Sequence, residues 1–260
     1  MFETPRFSRR SFASVKATFR QWRRGAPALG ICFWLTLGVG WSFAEGGASG
    51  ENPAIGEATA ALEGEPEATE EKDADLLTLE GVRAFGRKEL VVAREKFEQA
   101  LEVNPDHVIA LVNLGSLEYH SGRLEEAQTA LRRATRLSPE SVPAWLTLGV
   151  VAYEAGKLDL ALAALSQSVY LDPSSAKAHS YLGVTVGRMG WRDGAESELL
   201  KAIELDDTYA DAHFNLAVIY LQRVPAATAL ARRHYRRAVE LGAPPDSVVE
   251  KQLDRSKETD

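Results

Sequence analysis

Cysteine is almost missing: the 260-residue chain has one, Cys32. A disulfide framework, a CxxC redox pair and a Cys-based zinc site are therefore excluded. Cys32 follows Leu29-Gly30-Ile31, and the bulky Ile31 stands where a lipoprotein cleavage motif needs a small residue. Acids are scarce at the start of the chain and bases are scarce afterwards. Seven of the 30 basic residues (Arg6, Arg9, Arg10, Lys16, Arg20, Arg23, Arg24) and one of the 37 acids, Glu3, precede Glu45, which leaves 23 basic against 36 acidic residues beyond Ala44. So acidic a body argues against broad phosphate binding, and nucleic acid is not an expected partner. Catalytic signatures are missing too. No GxSxG motif and no P-loop occur, Gly38-x-Gly40 follows no strand, and Asp and Glu are scattered without a pairing that assigns a general acid and base. The expectation is a protein that is not an enzyme and uses no cofactor and no metal.

What is present begins with an address. Residues 1–24 are basic, an apolar run follows from Ala26 to Phe43, and small residues stand at Ser42 and Ala44. Residues 1–44 thus read as a secretory signal peptide cleaved after Ala44. The run is also just long enough to span a bilayer as an uncleaved anchor, and acid-poor, Arg- and Ser-rich starts occur in organellar transit peptides. Ser8-Arg9-Arg10-Ser11-Phe12 resembles a twin-arginine export motif, although the apolar run begins further downstream than that motif usually allows. The expected location is outside the cytoplasm, in a periplasm or on the outer face of the cytoplasmic membrane. Membrane contact would come only through the N-terminal segment.

Residues 45–73 hold nine acids, one Lys72 and only two aliphatic side chains larger than alanine, Ile55 and Leu62. Such a stretch cannot bury enough apolar surface to offset its ordering entropy, so a disordered acidic tether is expected.

From about Ala74 the chain repeats itself every 34 residues. Gly81, Gly115, Gly149 and Gly183 are in register, with Ala217 in the next place. Ala93, Ala127, Ala161 and Ala195 form a second ladder; Phe97, Leu131, Leu165 and Leu199 form a third; Ala100, Ala134, Ser168 and Ala202 form a fourth. Pro105, Pro139 and Pro173 close three units, as a residue without an N–H ends a helix. Within Val142–Ser175, Trp145, Leu148, Ala152 and Tyr153 recur at helical spacing before Gly156-Lys157, and Leu158, Ala161, Leu165 and Leu171 after it. Each unit reads as two amphipathic helices joined by a turn.

These residues resemble the tetratricopeptide repeat, whose pattern is W-x₂-L-G-x₂-Y, then A-x₃-F, an Ala and a Pro. Trp145, Leu148, Gly149, Ala152, Ala161, Leu165 and Pro173 carry the resemblance in one unit, and Leu111, Leu114, Gly115, Ala127, Leu131, Ala134 and Pro139 in the unit before it. The resemblance implies an all-α fold, an α-α solenoid wound as a right-handed superhelix. Its units would be 74–107, 108–141, 142–175, 176–209 and 210–245, with a capping helix and tail in 246–260 and its helix at Ser247–Leu253. The outer units depart from the pattern. Leu77 and Glu80 replace Trp and Leu, Lys88 replaces the turn glycine seen at Gly122, Gly156 and Gly190, Asp207 replaces a proline, and the fifth unit carries two extra residues near Val224-Pro225. Terminal units are atypical because one face meets solvent.

The resemblance also implies a concave groove lined by positions 2, 5, 9, 12 and 13 of each first helix. In this chain those are Val112, Ser116, Tyr119 and His120; Leu146, Val150, Tyr153 and Glu154; Lys177, Ser180, Val184 and Arg188; and Phe214, Val218 and Gln222. The lining is mainly apolar and aromatic, suited to a protein or peptide segment held by side-chain pockets. Thr78, Val112 and Ser116 occupy places where chaperone-binding relatives need Lys and Asn, so a chaperone C-terminus is not an expected ligand. His179 and His213 share the place of Trp145 and read as core histidines, with no carboxylate at ligand spacing in the sequence. Arg232, Arg233, Arg236 and Arg237 read as a solvated convex face balanced by Glu240. The expected role is an exported binding scaffold; the alternative is an assembly or oligomerisation factor of a cell-envelope complex.

Overall fold

Eleven α-helices and no strand make up the residues that the computed structural model describes, 66–255. They fall into five antiparallel pairs: α1 (Pro66–Gly86) with α2 (Leu90–Val103), α3 (Val108–His120) with α4 (Leu124–Leu137), α5 (Val142–Glu154) with α6 (Leu158–Leu171), α7 (Ala176–Arg188) with α8 (Arg192–Leu205), and α9 (Ala210–Leu221) with α10 (Thr228–Glu240). A short α11 (Ser247–Arg255) follows. The export segment 1–44 and most of the expected tether lie outside the described residues, in which no helix is long and apolar enough to cross a membrane.

Helix ends follow the local chemistry. Within the central pairs the first helix stops at a glycine in the left-handed region, Gly122, Gly156 or Gly190, where φ is +81°, +76° and +94°. Lys88 holds the same turn at φ +64° despite its side chain. The second helices of the first three pairs end just before Asn104-Pro105, Ser138-Pro139 and Asp172-Pro173, as the residue ahead of a proline leaves the helical region. Caps start the next unit: His107 Nδ1 accepts from the Ala110 N–H at 3.1 Å, and Ser175 Oγ accepts from the Ala178 N–H at 3.2 Å.

The glycine ladder explains how each pair closes. A Cβ built on Gly81, Gly115, Gly149 or Gly183 would stand 2.5, 2.6, 2.5 or 2.8 Å from an atom of Phe97, Leu131, Leu165 or Leu199. Those four large side chains are fully buried, as are Ala93, Ala127, Ala161 and Ala195. One ladder supplies the space and another fills it, which is how a core reaches crystalline density.

Each second helix packs on the first helix of the following unit, and successive first helices α1, α3, α5, α7 and α9 also touch one another, whereas second helices of different units do not pack substantially together. The stack is therefore a curved solenoid with the first helices inside. One recurring tie joins its units. Trp145 Nε1 donates to Pro139 O at 2.7 Å, His179 Nε2 to Pro173 O at 3.1 Å, and His213 Nε2 to Asp207 O at 3.2 Å. Asp207 thus keeps the carbonyl role of the prolines it replaces.

The two ends differ from each other. At the C-terminal end, α11 covers the last pair with buried Val249 and Leu253, and Asp246 caps it by accepting from Val248 N–H at 2.7 Å and Val249 N–H at 3.2 Å. At the N-terminal end, α1 starts at Pro66, eight residues ahead of the Ala74 start expected from the repeat register, so the tether's last residues are helical. Pro66 suits a first helical position. Among the described residues no unit precedes this pair, and Leu76 (60% exposed) and Val91 (71%) stand open there.

Candidate functional site

The inner face is built by first helices, so their side chains decide what it can hold. Of the groove positions named from the repeat pattern, three are almost wholly buried. Tyr119, Val150 and Ser180 are only 7%, 5% and 3% exposed, because neighbouring first helices close over them. Val112 and Leu146 are half-buried and pack on the same clusters. Ser116 turns its hydroxyl back to its own helix and donates to Val112 O at 2.9 Å. His120 is exposed, with its ring 5.4 Å from both Phe85 and Tyr119. Phe214 leans on Tyr235 at 6.3 Å between ring centres, Val218 is half-buried, and Gln222 is the residue at which α9 ends.

The remaining positions converge. Tyr153, Glu154, Lys177, Val184 and Arg188 surround a shallow cleft where α5, α7 and α9 meet, lined by Tyr153, Ser180, Tyr181, Val184, Tyr209, Asp211 and Asn215. Tyr153 and Tyr181 meet edge to face at 6.3 Å. The Arg188 guanidinium lies 4.7 Å from the centre of the Tyr153 ring and donates to Tyr153 O at 3.1 Å, so one wall is set before any ligand arrives. Burial pushes the Tyr181 hydroxyl well above the usual phenol range, helped by the nearby Tyr119 and Tyr209 phenols and by Asp211 and Glu154. Burial also raises Tyr209 and Tyr153, with Arg188 opposing the shift at Tyr153. The Asp211 carboxyl is held above the ordinary range by burial, against the attraction of Lys177. These phenols stay neutral donors and acceptors across physiological pH.

Four cleft residues were not among the sequence candidates: Tyr181, Tyr209, Asp211 and Asn215. Asp211 occupies position 2 of its unit, like Lys177, so the same rule applied to the fifth unit finds it. Tyr181 and Asn215 are sixth positions, and Tyr209 ends the fourth unit. Nothing in the pattern marks those places. Asp211 is the carboxylate among these lining residues, and Lys177 attracts it from the preceding unit.

The other constellations resolve into structure. His179 Nδ1 faces Glu198 Oε2 at 2.7 Å, a carboxylate partner from α8 that sequence spacing did not reveal. His213 Nδ1 faces His234 Nδ1 at 3.0 Å with the rings stacked 5.2 Å apart. Among the described residues no group of three or more His, Cys, Asp or Glu could hold a metal ion. Arg237 pairs with Glu240 at 3.7 Å and Arg232 donates to Leu253 O at 2.9 Å, while Arg233 and Arg236 are exposed. Buried Glu118 accepts from Arg123 and forms an ion pair with Arg94, tying the first two pairs together.

Comparison with known proteins agrees with this architecture. Family models described as tetratricopeptide repeat match residues 80–142 and 117–176, and a second such model matches 198–240. Among solved structures, YrrB, titled a TPR protein with an unusual peptide-binding site, is 24% identical, with 74% of this chain and 95% of that chain covered and a TM-score of 0.58. PilF of Pseudomonas aeruginosa is 17% identical over 73% of this chain and 86% of its own, with a TM-score of 0.65. MamA of Desulfovibrio magneticus is 22% identical over 67% and 98%, with a TM-score of 0.59. At these identities the likeness concerns the fold. A search of curated proteins found no match.

Proposed function

From a chain made of tetratricopeptide repeats over more than half of its length, we infer an exported, non-enzymatic scaffold that holds a segment of a partner protein against its inner face. The observation that carries this reading is the cleft between α5, α7 and α9, where Tyr153, Tyr181 and Tyr209 present rings and hydroxyls within one concave wall. Rigid aromatic side chains give large contact area at low entropic cost, and they dominate binding surfaces for that reason. Export rests on the N-terminal pattern of basic residues, apolar run and small-x-small site. A photoreactive residue at position 153 should crosslink a discrete partner peptide, identified by mass spectrometry; crosslinking from exposed Tyr170 on α6 but not from 153 would refute the inner-face assignment. N-terminal sequencing of the mature protein tests the address, with Glu45 as the first residue expected after signal cleavage.

The exposed apolar residues of the first pair favour a second reading, an assembly factor that associates through its N-terminal end. Leu76, Leu79, Val82, Val91 and Val92 are all exposed there. Size-exclusion chromatography with light scattering separates the two roles: a groove receptor is a monomer alone, and an assembly factor is not.

A further inference from the structure

The partner's chemistry can be read from what the cleft offers, on the premise that the inner face is the binding surface. Its walls are the rings of Tyr153, Tyr181 and Tyr209. Its ionisable lining group is Asp211, a half-buried carboxylate at the first turn of α9. Among the described residues, no N–H, O–H or cation stands within hydrogen-bond or ion-pair distance of that carboxylate. Lys177, one unit earlier, attracts Asp211 from beyond ion-pair reach and is itself exposed. A second carboxylate, Glu154, approaches the same phenols from α5, and it too has no ion pair among the described residues. The cation nearest to Tyr153, Arg188, is already committed to that residue's ring and carbonyl. Half-buried carboxylates beside aromatic faces lack a cation, since a charge withdrawn from water needs a partner. The electron-rich faces of phenol rings attract the same kind of group.

We propose that this cleft selects its partner segment by an arginine or lysine side chain, whose cationic head seats at the mouth of the cleft against the tyrosines and pairs with Asp211. The acidic body of the chain, 36 acids against 23 bases beyond Ala44, steers such a segment inward. Val184 and Asn215 complete the lining, an apolar surface for the aliphatic stem of the incoming side chain and an amide beside it.

The test uses the full chain in mild detergent and fluorescence anisotropy with four labelled dodecapeptide pools, identical in random flanks and differing in one central residue: arginine, lysine, norleucine or glutamate. The arginine and lysine pools should bind about tenfold tighter than the norleucine pool, the scale of one cation–π contact plus one charge-assisted bond. Asp211→Asn should erase that preference and leave norleucine binding unchanged. Glu154→Gln, which keeps the side chain's shape at a site away from the α9 cap, should reduce it; this keeps the test decisive should the Asp211→Asn variant fold poorly by circular dichroism. Equal binding of the norleucine and cationic pools overturns the cation selection and leaves the inner-face reading standing. No binding by any pool overturns both.

Discussion

Replacing Gly149 by alanine is the sharpest probe of how the pairs close. The new methyl would stand 2.5 Å from Leu165 Cγ, 2.8 Å from Cδ2 and 3.2 Å from the Leu165 backbone nitrogen. Because one of those atoms is backbone and another is the branch point of a fully buried side chain, a rotamer change cannot clear the space. Overpacking of this kind costs about 2 kcal/mol. Alanine's advantage over glycine inside a helix returns about 1 kcal/mol, which leaves a net loss of about 1 kcal/mol. Leu165→Ala alone should cost about 2–5 kcal/mol, as a cavity opens in a packed core. In that background only the 3.2 Å approach to the backbone nitrogen is left, and Gly149→Ala should become stabilising by up to about 1 kcal/mol. The change of sign is the signature, an interaction of up to about 2 kcal/mol between two residues in contact. Urea unfolding followed by circular dichroism measures all four corners of the cycle. A Gly149→Ala effect of the same sign and size in both backgrounds would mean that α5 and α6 do not approach as closely as described.

Three further outcomes follow from the same structure. Lys88 holds a left-handed turn that its counterparts fill with glycine, so Lys88→Gly should stabilise the first pair by about 1 kcal/mol, read as a shift of the urea midpoint at unchanged slope. His213 and His234 are both held below the ordinary imidazole range, chiefly by burial; Arg237 and Arg233 add to it at His213 against the opposing Asp207, and His213 and Arg233 add to it at His234. Unfolding therefore takes up protons, and stability should fall as pH drops below about 6.5, the ordinary histidine value; His234→Gln should flatten that slope, and an unchanged slope would show that the pair does not couple to folding. Tyr153→Ala should weaken binding of the tightest peptide pool by about tenfold or more, a typical loss for a buried aromatic anchor, with helical content unchanged.

The fold was legible because its determinants are short-range and periodic. Gly115 with Leu131, or Gly149 with Leu165, recur at a fixed spacing, and the contact each makes is the reason for the spacing. The place shared by Trp145, His179 and His213 looked like a substitution series of unlike residues. Their common property is a ring N–H that reaches the carbonyl six residues back, visible once distances are known. The inner face was legible only in part. Family positions name Tyr153, Val184 and Arg188, but burial of Tyr119, Val150 and Ser180 depends on how closely successive first helices pack. The same packing brings Tyr181, Tyr209 and Asn215 to the cleft from places that the pattern leaves unmarked. Helical periodicity reports a residue's place within a unit, whereas a groove is a relation between units. Lys88 was visible as an oddity, and its backbone angle states what the oddity costs.

The tie between units has a consequence for how the solenoid meets acid. The joint closed by the Trp145 indole carries no titratable group, while those closed by His179 and His213 do. His213 sits against another imidazole, and burial with the nearby Arg237 and Arg233 guanidiniums disfavours its charged form. A falling pH therefore leaves the Trp145 joint untouched and loosens the His213 joint. A rod assembled from near-identical parts becomes a graded one, softest under acid at the end that α11 covers.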